Sequence, residues 1–301
     1  MSFTAKALDL CLRLSGMKKK YDLPEEQFLK EVEKMNRSRG FYMPSDRKAV
    51  YRKRMVLGRE VLLVQRSEKT AARAILYFFG GGMLIGPDKG DVDVLVKLME
   101  KTGCDIWFPM YPLCTDHCVT ESYEMVYECY RQMLALYGAG NVSTCGFSSG
   151  GALALGIAAH INARKDGLPM PRHIVAVSPG EVPWNDAERE IMRRNDPKDA
   201  EVGYALMEKA EKFMRHGQSD VPDYMLHISK GDFTGVSDIH FYWSEDEVLY
   251  GAKQNFIGAC KRCGAAYTVK SRPGMIHCYP MLPYFKEAKE DFEEIAGYLA
   301  K

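Results

Sequence analysis

The feature that most constrains this chain is a rhythm that starts near residue 73. Short runs of branched and aromatic residues alternate with longer stretches of helical spacing. RAILYFF, DIWFPMY, NVSTCGF, HIVAVSP, DIHFYW and AAYTVKS read as strands. VDVLVKLMEKTG, ESYEMVYECYRQMLALYG, SGGALALGIAAHINARK, LYGAKQNFIGACKRCG and YFKEAKEDFEEIAGYLA read as helices. Strands that are apolar throughout are covered on both faces, and strand–helix succession makes neighbouring strands parallel. The reading is an α/β chain with a mostly parallel central sheet flanked by helices. Ahead of this, YRKRMVL and EVLLVQR around Gly58-Arg59 have the pattern of a hairpin. Residues 1–45 and 184–222 break the rhythm, being helical in pattern without a strand. They are expected to form a helical cap over the carboxyl end of the sheet, within one domain spanning 1–301.

The chain's 301 residues, 46% of them hydrophobic, suffice for a sizeable core. A net charge of +1, from 41 basic and 40 acidic residues, offers no field for a polyanion, so no nucleic-acid partner is expected. No apolar run approaches the ~20 residues of a membrane helix, and no membrane partner is expected. Asp9 and Arg13 interrupt the N-terminal apolar stretch, and its lysine cluster follows rather than leads. That is the pattern of an amphipathic helix, not a signal peptide, and a cytoplasmic protein is expected. Nine cysteines, an odd number, argue against a full disulfide framework. Cys260 and Cys263 form a single CxxC without a second pair, and Cys114 and Cys118 flank His117. Reduced thiols are expected, with no metal and no cofactor.

Gly146-Phe147-Ser148-Ser149-Gly150 is weak evidence as a bare Gly-x-Ser-x-Gly. Its setting strengthens it, because Ser148 falls where a short strand meets a helix that begins with small residues. A serine hydroxyl needs a base, and the base needs an orienting acid. The last histidine, His277, follows the strand AAYTVKS. After DIHFYW come Glu245, Asp246 and Glu247, any of which is placed to serve as the acid. Gly80-Gly81-Gly82 follows a buried strand and supplies unobstructed backbone N–H groups for a developing oxyanion.

These pieces resemble the hormone-sensitive-lipase-like branch of the α/β-hydrolases, which are esterases. YFFGGGMLIGP is similar to the family's HGGG stretch and GFSSGGALAL to its GDSAGGNLA. MYPLCTDHCVTESYEMV is similar to its YRLAPEH segment, and RPGMIHCYP to its histidine loop. The resemblance implies Ser148, Glu247 and His277 as the triad, with Gly80, Gly81 and Ser149 as oxyanion donors. It favours Glu247 over Asp246, since the family's acid precedes a leucine by two positions and lies about thirty residues before the histidine. Two residues depart from the pattern. Phe79 stands where the family has His, and Phe147 where it has Asp. Both are expected to be sheltered and to pack against each other beside the elbow.

The expected function is hydrolysis of small, fairly apolar carboxylic esters, with Met83 and Met275 as candidate pocket residues. Lactone or amide hydrolysis uses the same triad. A non-catalytic small-molecule binder on the same fold is the rival from another class, and a homodimer stays open.

Overall fold

Leu57 and Gly58 both have positive φ, 46° and 76°, which suits a two-residue hairpin turn. They join β1 (Val50–Val56) to β2 (Arg59–Gln65), with Val56 opposite Arg59. The computed structural model describes residues 2–301, the side chain of Phe3 excepted. The other strands are β3 (Ala74–Phe78), β4 (Asp105–Pro109), β5 (Val142–Phe147), β6 (Ile174–Val177), β7 (Ile239–Ser244) and β8 (Tyr267–Arg272). The sheet order is β1-β2-β4-β3-β5-β6-β7-β8. β1–β2 and β2–β4 are antiparallel, and every later pair is parallel. β3, β4, β6 and β7 are buried along their whole length, as apolar runs covered on both faces require. The chain passes from β3 to β4 on one side and then to β5 on the other. That reversal opens a crevice at the carboxyl ends of β3 and β5, where α/β sheets bind ligands.

The helices are α1 (Phe3–Ser15), α2 (Glu25–Asn36), α3 (Lys89–Thr102), α4 (Val119–Tyr137) and α5 (Ser149–Arg164). After these come α6 (Asp186–Asn195), α7 (Tyr204–Arg215), the single turn α8 (Asp223–Leu226), α9 (Lys253–Cys263) and α10 (Lys286–Leu299). An Asp88–Asp91 capping box starts α3, and Gly103 in the left-handed region ends it. The N-terminal helical pattern stops at Asn36 rather than near 45. Residues 37–49, with Gly40 and Pro44, have no regular helix. No helix among the described residues is long and apolar enough to cross a membrane.

The N-terminal segment and the insert pack on each other. The rings of Phe28 and Phe213 lie 5.8 Å apart, and Lys209 Nζ donates to the carbonyls of Tyr21 and Leu23 at 2.7 and 2.8 Å. Arg13 donates to the Pro197 carbonyl, and Lys18 Nζ to the Asp199 carbonyl at 3.0 Å. α1 also seats Ala5 in a small cluster with Ile276, Tyr279 and Phe285, which braces the segment carrying His277.

Candidate active site

β5 ends at Phe147 and α5 starts at Ser149, so the chain must reverse at one residue. Ser148 takes that turn with φ 55° and ψ −127°, a conformation that strains any L side chain. Its N–H is tied to the Val177 carbonyl at 2.9 Å. Gly150 makes the turn possible, since a Cβ there would lie 2.3 Å from the carbonyl oxygens of both Phe78 and Phe79. Ser149 opens α5, so its N–H has no intrahelical acceptor.

The glycine loop leaves the end of β3 beside this turn. Gly81 has φ 110°, and a Cβ there would strike the Ile85 carbonyl oxygen at 2.3 Å. Two contacts that the sequence pattern does not disclose hold the loop to its surroundings. Tyr111 Oη donates to the Phe79 carbonyl at 2.7 Å, and Met83 N–H donates to Ser149 Oγ at 3.2 Å. Tyr111 lies in the MYPLC stretch, but its role depends on a contact across the sheet that spacing does not reveal.

His277 sits on the loop after β8, with Nδ1 2.5 Å from Glu247 Oε2. Glu247 is buried three residues past the end of β7, and its other oxygen accepts the Ser244 N–H at 2.9 Å. Asn195 Nδ2 steadies this turn by donating to the carbonyls of Glu245 and Glu247. Asp246, the alternative acid, faces elsewhere. Its carboxylate accepts the Gly274 N–H at 2.7 Å and pairs with Lys198 at 3.1 Å. Burial pushes the Glu247 carboxyl up, and His277 opposes that rise. Burial disfavours the charged form of His277, but Cys278 and Glu247 outweigh it and raise the imidazole well above its ordinary value.

Ser148 and His277 line one cavity. In this state His277 Nε2 is 3.2 Å from Cys278 Sγ, and Ser148 Oγ is not hydrogen-bonded to it. Catalytic contacts are often loose before substrate arrives.

The cavity measures about 600 Å³ and contains Gly80, Gly81 and Ser149 in its wall. Leu12 and Tyr21 from the N-terminal segment, and Leu206 and Met207 from the insert, close it from above. Met83 lines it, whereas Met275 packs with Ile276 and Phe285 under α1, away from it. The two phenylalanines do not form the expected pair. Phe79 is buried and stacks on Tyr111 with centroids 4.1 Å apart, and it meets Phe108 edge-on. Phe147 is only partly buried, lines the cavity, lies over Gly80 and has Tyr77 as its ring neighbour.

The cysteine pairs carry other contacts. Cys263 Sγ accepts the Phe233 N–H, Cys114 and Cys118 are buried, and His117 faces Arg59 and Glu121. His173, Asp238 and His240 do bring ligand atoms within 4.8 Å of one another. Arg172 Nε, however, donates to His173 Nε2 at 3.2 Å, which leaves Nδ1 as the protonated nitrogen facing Asp238 Oδ2 at 2.6 Å. His240 completes the set between Asp238 and Thr268. This is a closed hydrogen-bond network at the amino ends of β6 and β7, opposite Ser148.

A family model for the alpha/beta hydrolase fold matches residues 75–281, more than half of the chain. The chain belongs to that family. This alpha/beta hydrolase overlays a crystal structure of EstE5 soaked with p-nitrophenyl butyrate at a TM-score of 0.81. The two share 20% identity over 100% of this chain and 98% of that one. An esterase from the bacterial hormone-sensitive lipase family overlays at 0.78 with 21% identity, over 97% of each chain. A putative esterase from Staphylococcus aureus does so at 0.78 with 21% identity, over 92% of each chain. At these identities the overlays establish the fold. No curated protein matches this chain.

Proposed function

We propose that this alpha/beta hydrolase cleaves small, largely apolar carboxylic esters through an acyl-enzyme on Ser148. The observation that carries this reading is the buried His277–Glu247 pair, which faces the same cavity as the strained Ser148 and the glycine loop. Substrate entry moves the imidazole from Cys278 toward Ser148. Ser148 Oγ attacks the ester carbonyl while its proton passes to His277 Nε2. Glu247 keeps the other ring proton on Nδ1 and stabilises the imidazolium. The N–H groups of Gly80, Gly81 and Ser149 receive the oxyanion. Collapse expels the alcohol oxygen, which takes the proton from Nε2. Water then attacks the acyl carbon with His277 again as base, and the acid leaves. The apolar walls suit hydrocarbon acyl and alcohol groups.

The test is labelling by a fluorophosphonate with the labelled peptide identified, beside hydrolysis of p-nitrophenyl butyrate. Label on Ser148, and a Ser148→Ala enzyme slower by at least about 10³-fold with an unchanged circular dichroism spectrum, fit the proposal. Wild-type rates in Ser148→Ala contradict it. The Cys278 sulfur beside His277 Nε2 favours the second reading, a binder that does not turn over. That reading requires esters to bind without hydrolysis or labelling.

A further inference from the structure

The cavity is mostly apolar, and of the four acids that line it Asp88, Asp91 and Glu181 already accept hydrogen bonds, which leaves Glu201 of the insert. Glu201 lies on the loop between α6 and α7, flanked by Ala200 and Val202, and all three line the cavity with Ser148 and His277. Its Oε1 is shut off from solvent and has no hydrogen-bond partner among the described residues. A buried carboxyl oxygen without a donor is costly unless a ligand supplies one.

The loop is built to hold Glu201 still. Asp199 Oδ1 accepts the N–H groups of both Glu201 and Val202, at 2.8 and 2.9 Å, and Lys18 grips the Asp199 carbonyl. The neighbouring cations are already engaged, Lys18 with Asp196 at 3.1 Å and Arg13 with Asp9 at 2.8 Å. The charged groups that act on Glu201 are His277 and the acids Asp199, Glu247 and Asp9. Burial first, and those acids after it, push the Glu201 carboxyl up to about 7, against the opposing effect of His277. Three acids thus act on Glu201 together, and His277 is the cation that opposes them.

We infer that Glu201 selects esters whose alcohol portion carries a protonated amine, which donates its N–H to the Glu201 carboxylate. The alcohol side follows from the chemistry. His277 hands its proton to the leaving oxygen, so the alcohol portion lies on the histidine side of the cavity, which Glu201 also lines and where His277 is the charged group that acts on it most strongly. This inference rests on the serine-esterase reading, and the experiment below separates the two.

The probes are 2-(dimethylamino)ethyl butyrate and 3-methylbutyl butyrate, which have the same shape and differ by a protonated nitrogen in place of a CH. Near neutral pH the wild-type kcat/KM for the amine ester exceeds that for its isostere by about 10–100-fold, the worth of a charged hydrogen bond. Glu201→Gln and Glu201→Leu collapse that ratio toward one. Because the ratio is taken within each enzyme, losses common to both esters cancel. A wild-type ratio near one, or the same ratio in all three enzymes, overturns the inference. Calorimetry on Ser148→Ala reads the same preference without turnover. Tighter binding of the amine ester that is lost in Ser148→Ala/Glu201→Gln supports it, and equal binding of the two esters overturns it. Failure to hydrolyse either ester, with Ser148 unlabelled, counts against the esterase reading alone.

Discussion

Changing Glu247 to glutamine keeps the size of the side chain and removes its charge, at a site where both carboxylate oxygens are already engaged. Oε1 accepts the Ser244 N–H at 2.9 Å and Oε2 lies 2.5 Å from His277 Nδ1, at a residue only 1% exposed. An amide has one oxygen for these two donors. With the oxygen on Ser244, the NH2 group meets Nδ1, and the ring must carry its proton on Nε2, where it cannot accept from Ser148. With the amide flipped, the productive tautomer survives, but the Ser244 N–H faces an NH2 group. A buried donor left unsatisfied costs about 1–3 kcal/mol, so the productive form falls to roughly one in six to one in 160. Losing the charge also removes about 1.5–3 kcal/mol of charge-assisted stabilisation of the imidazolium. Together these give about 2.5–6 kcal/mol, or about 10²–10⁴ in kcat on p-nitrophenyl butyrate. Asp246→Asn is the matched control. It weakens only the Gly274 and Lys198 contacts and is expected to cost less than about tenfold in kcat and about 1–2 kcal/mol in stability. A Glu247→Gln enzyme within tenfold of wild type, or one faster than Asp246→Asn, refutes the assignment of the acid.

The proposed mechanism needs His277 neutral in the free enzyme, and its ring is raised above the ordinary 6.5. The acid limb of a pH–kcat/KM profile is therefore expected to have its midpoint above 6.5, and a midpoint below that value contradicts the proposed electrostatics. Burial and the charge of Glu181 push Glu188 from 4.5 to about 8, and its Oε1 has no hydrogen-bond partner among the described residues. Between those values the folded state holds a proton that the unfolded chain has lost, so stability falls as pH rises through the window. Glu188→Gln removes that dependence. It is expected to be more stable than wild type by roughly 1–3 kcal/mol near pH 8, with the gain gone near 4.5, by urea unfolding at both pH values. A difference independent of pH argues against it.

The sheet was legible because strands buried on both faces leave little room for polar residues. RAILYFF, DIWFPMY and HIVAVSP could hardly be anything else. The turn at Ser148 was legible for a similar reason, since its tightness demands glycine within two residues on either side. Contacts between distant segments leave no such mark. Nothing in the charged stretch 184–222 distinguishes Asp199 or Glu201 from the other acids there, and their placement depends on how the insert folds back on α1 and α2. Phe79 and Phe147 show the same limit. Phe79 directly follows β3 and Phe147 ends the adjacent parallel strand β5, but one ring turns into the core toward Tyr111 and the other toward the cavity. Strand position alone did not fix those directions. The helical pattern expected through residue 45 ends at Asn36, because Gly40 and Pro44 favour irregular chain beyond it.

Asp199 has a consequence for how this protein can be altered. One of its oxygens holds the backbone of Glu201 and Val202, and the other accepts the N–H of Val248, the residue after Glu247, at 2.8 Å. The roof of the cavity and the turn that carries Glu247 thus share one anchor. Residues 184–222 are not an exchangeable module. A graft of another insert onto this sheet that lacks a carboxylate at this point would loosen Glu247 while changing the substrate. Retargeting this scaffold therefore calls for changes to the residues facing the cavity, with the frame around Asp199 carried over intact.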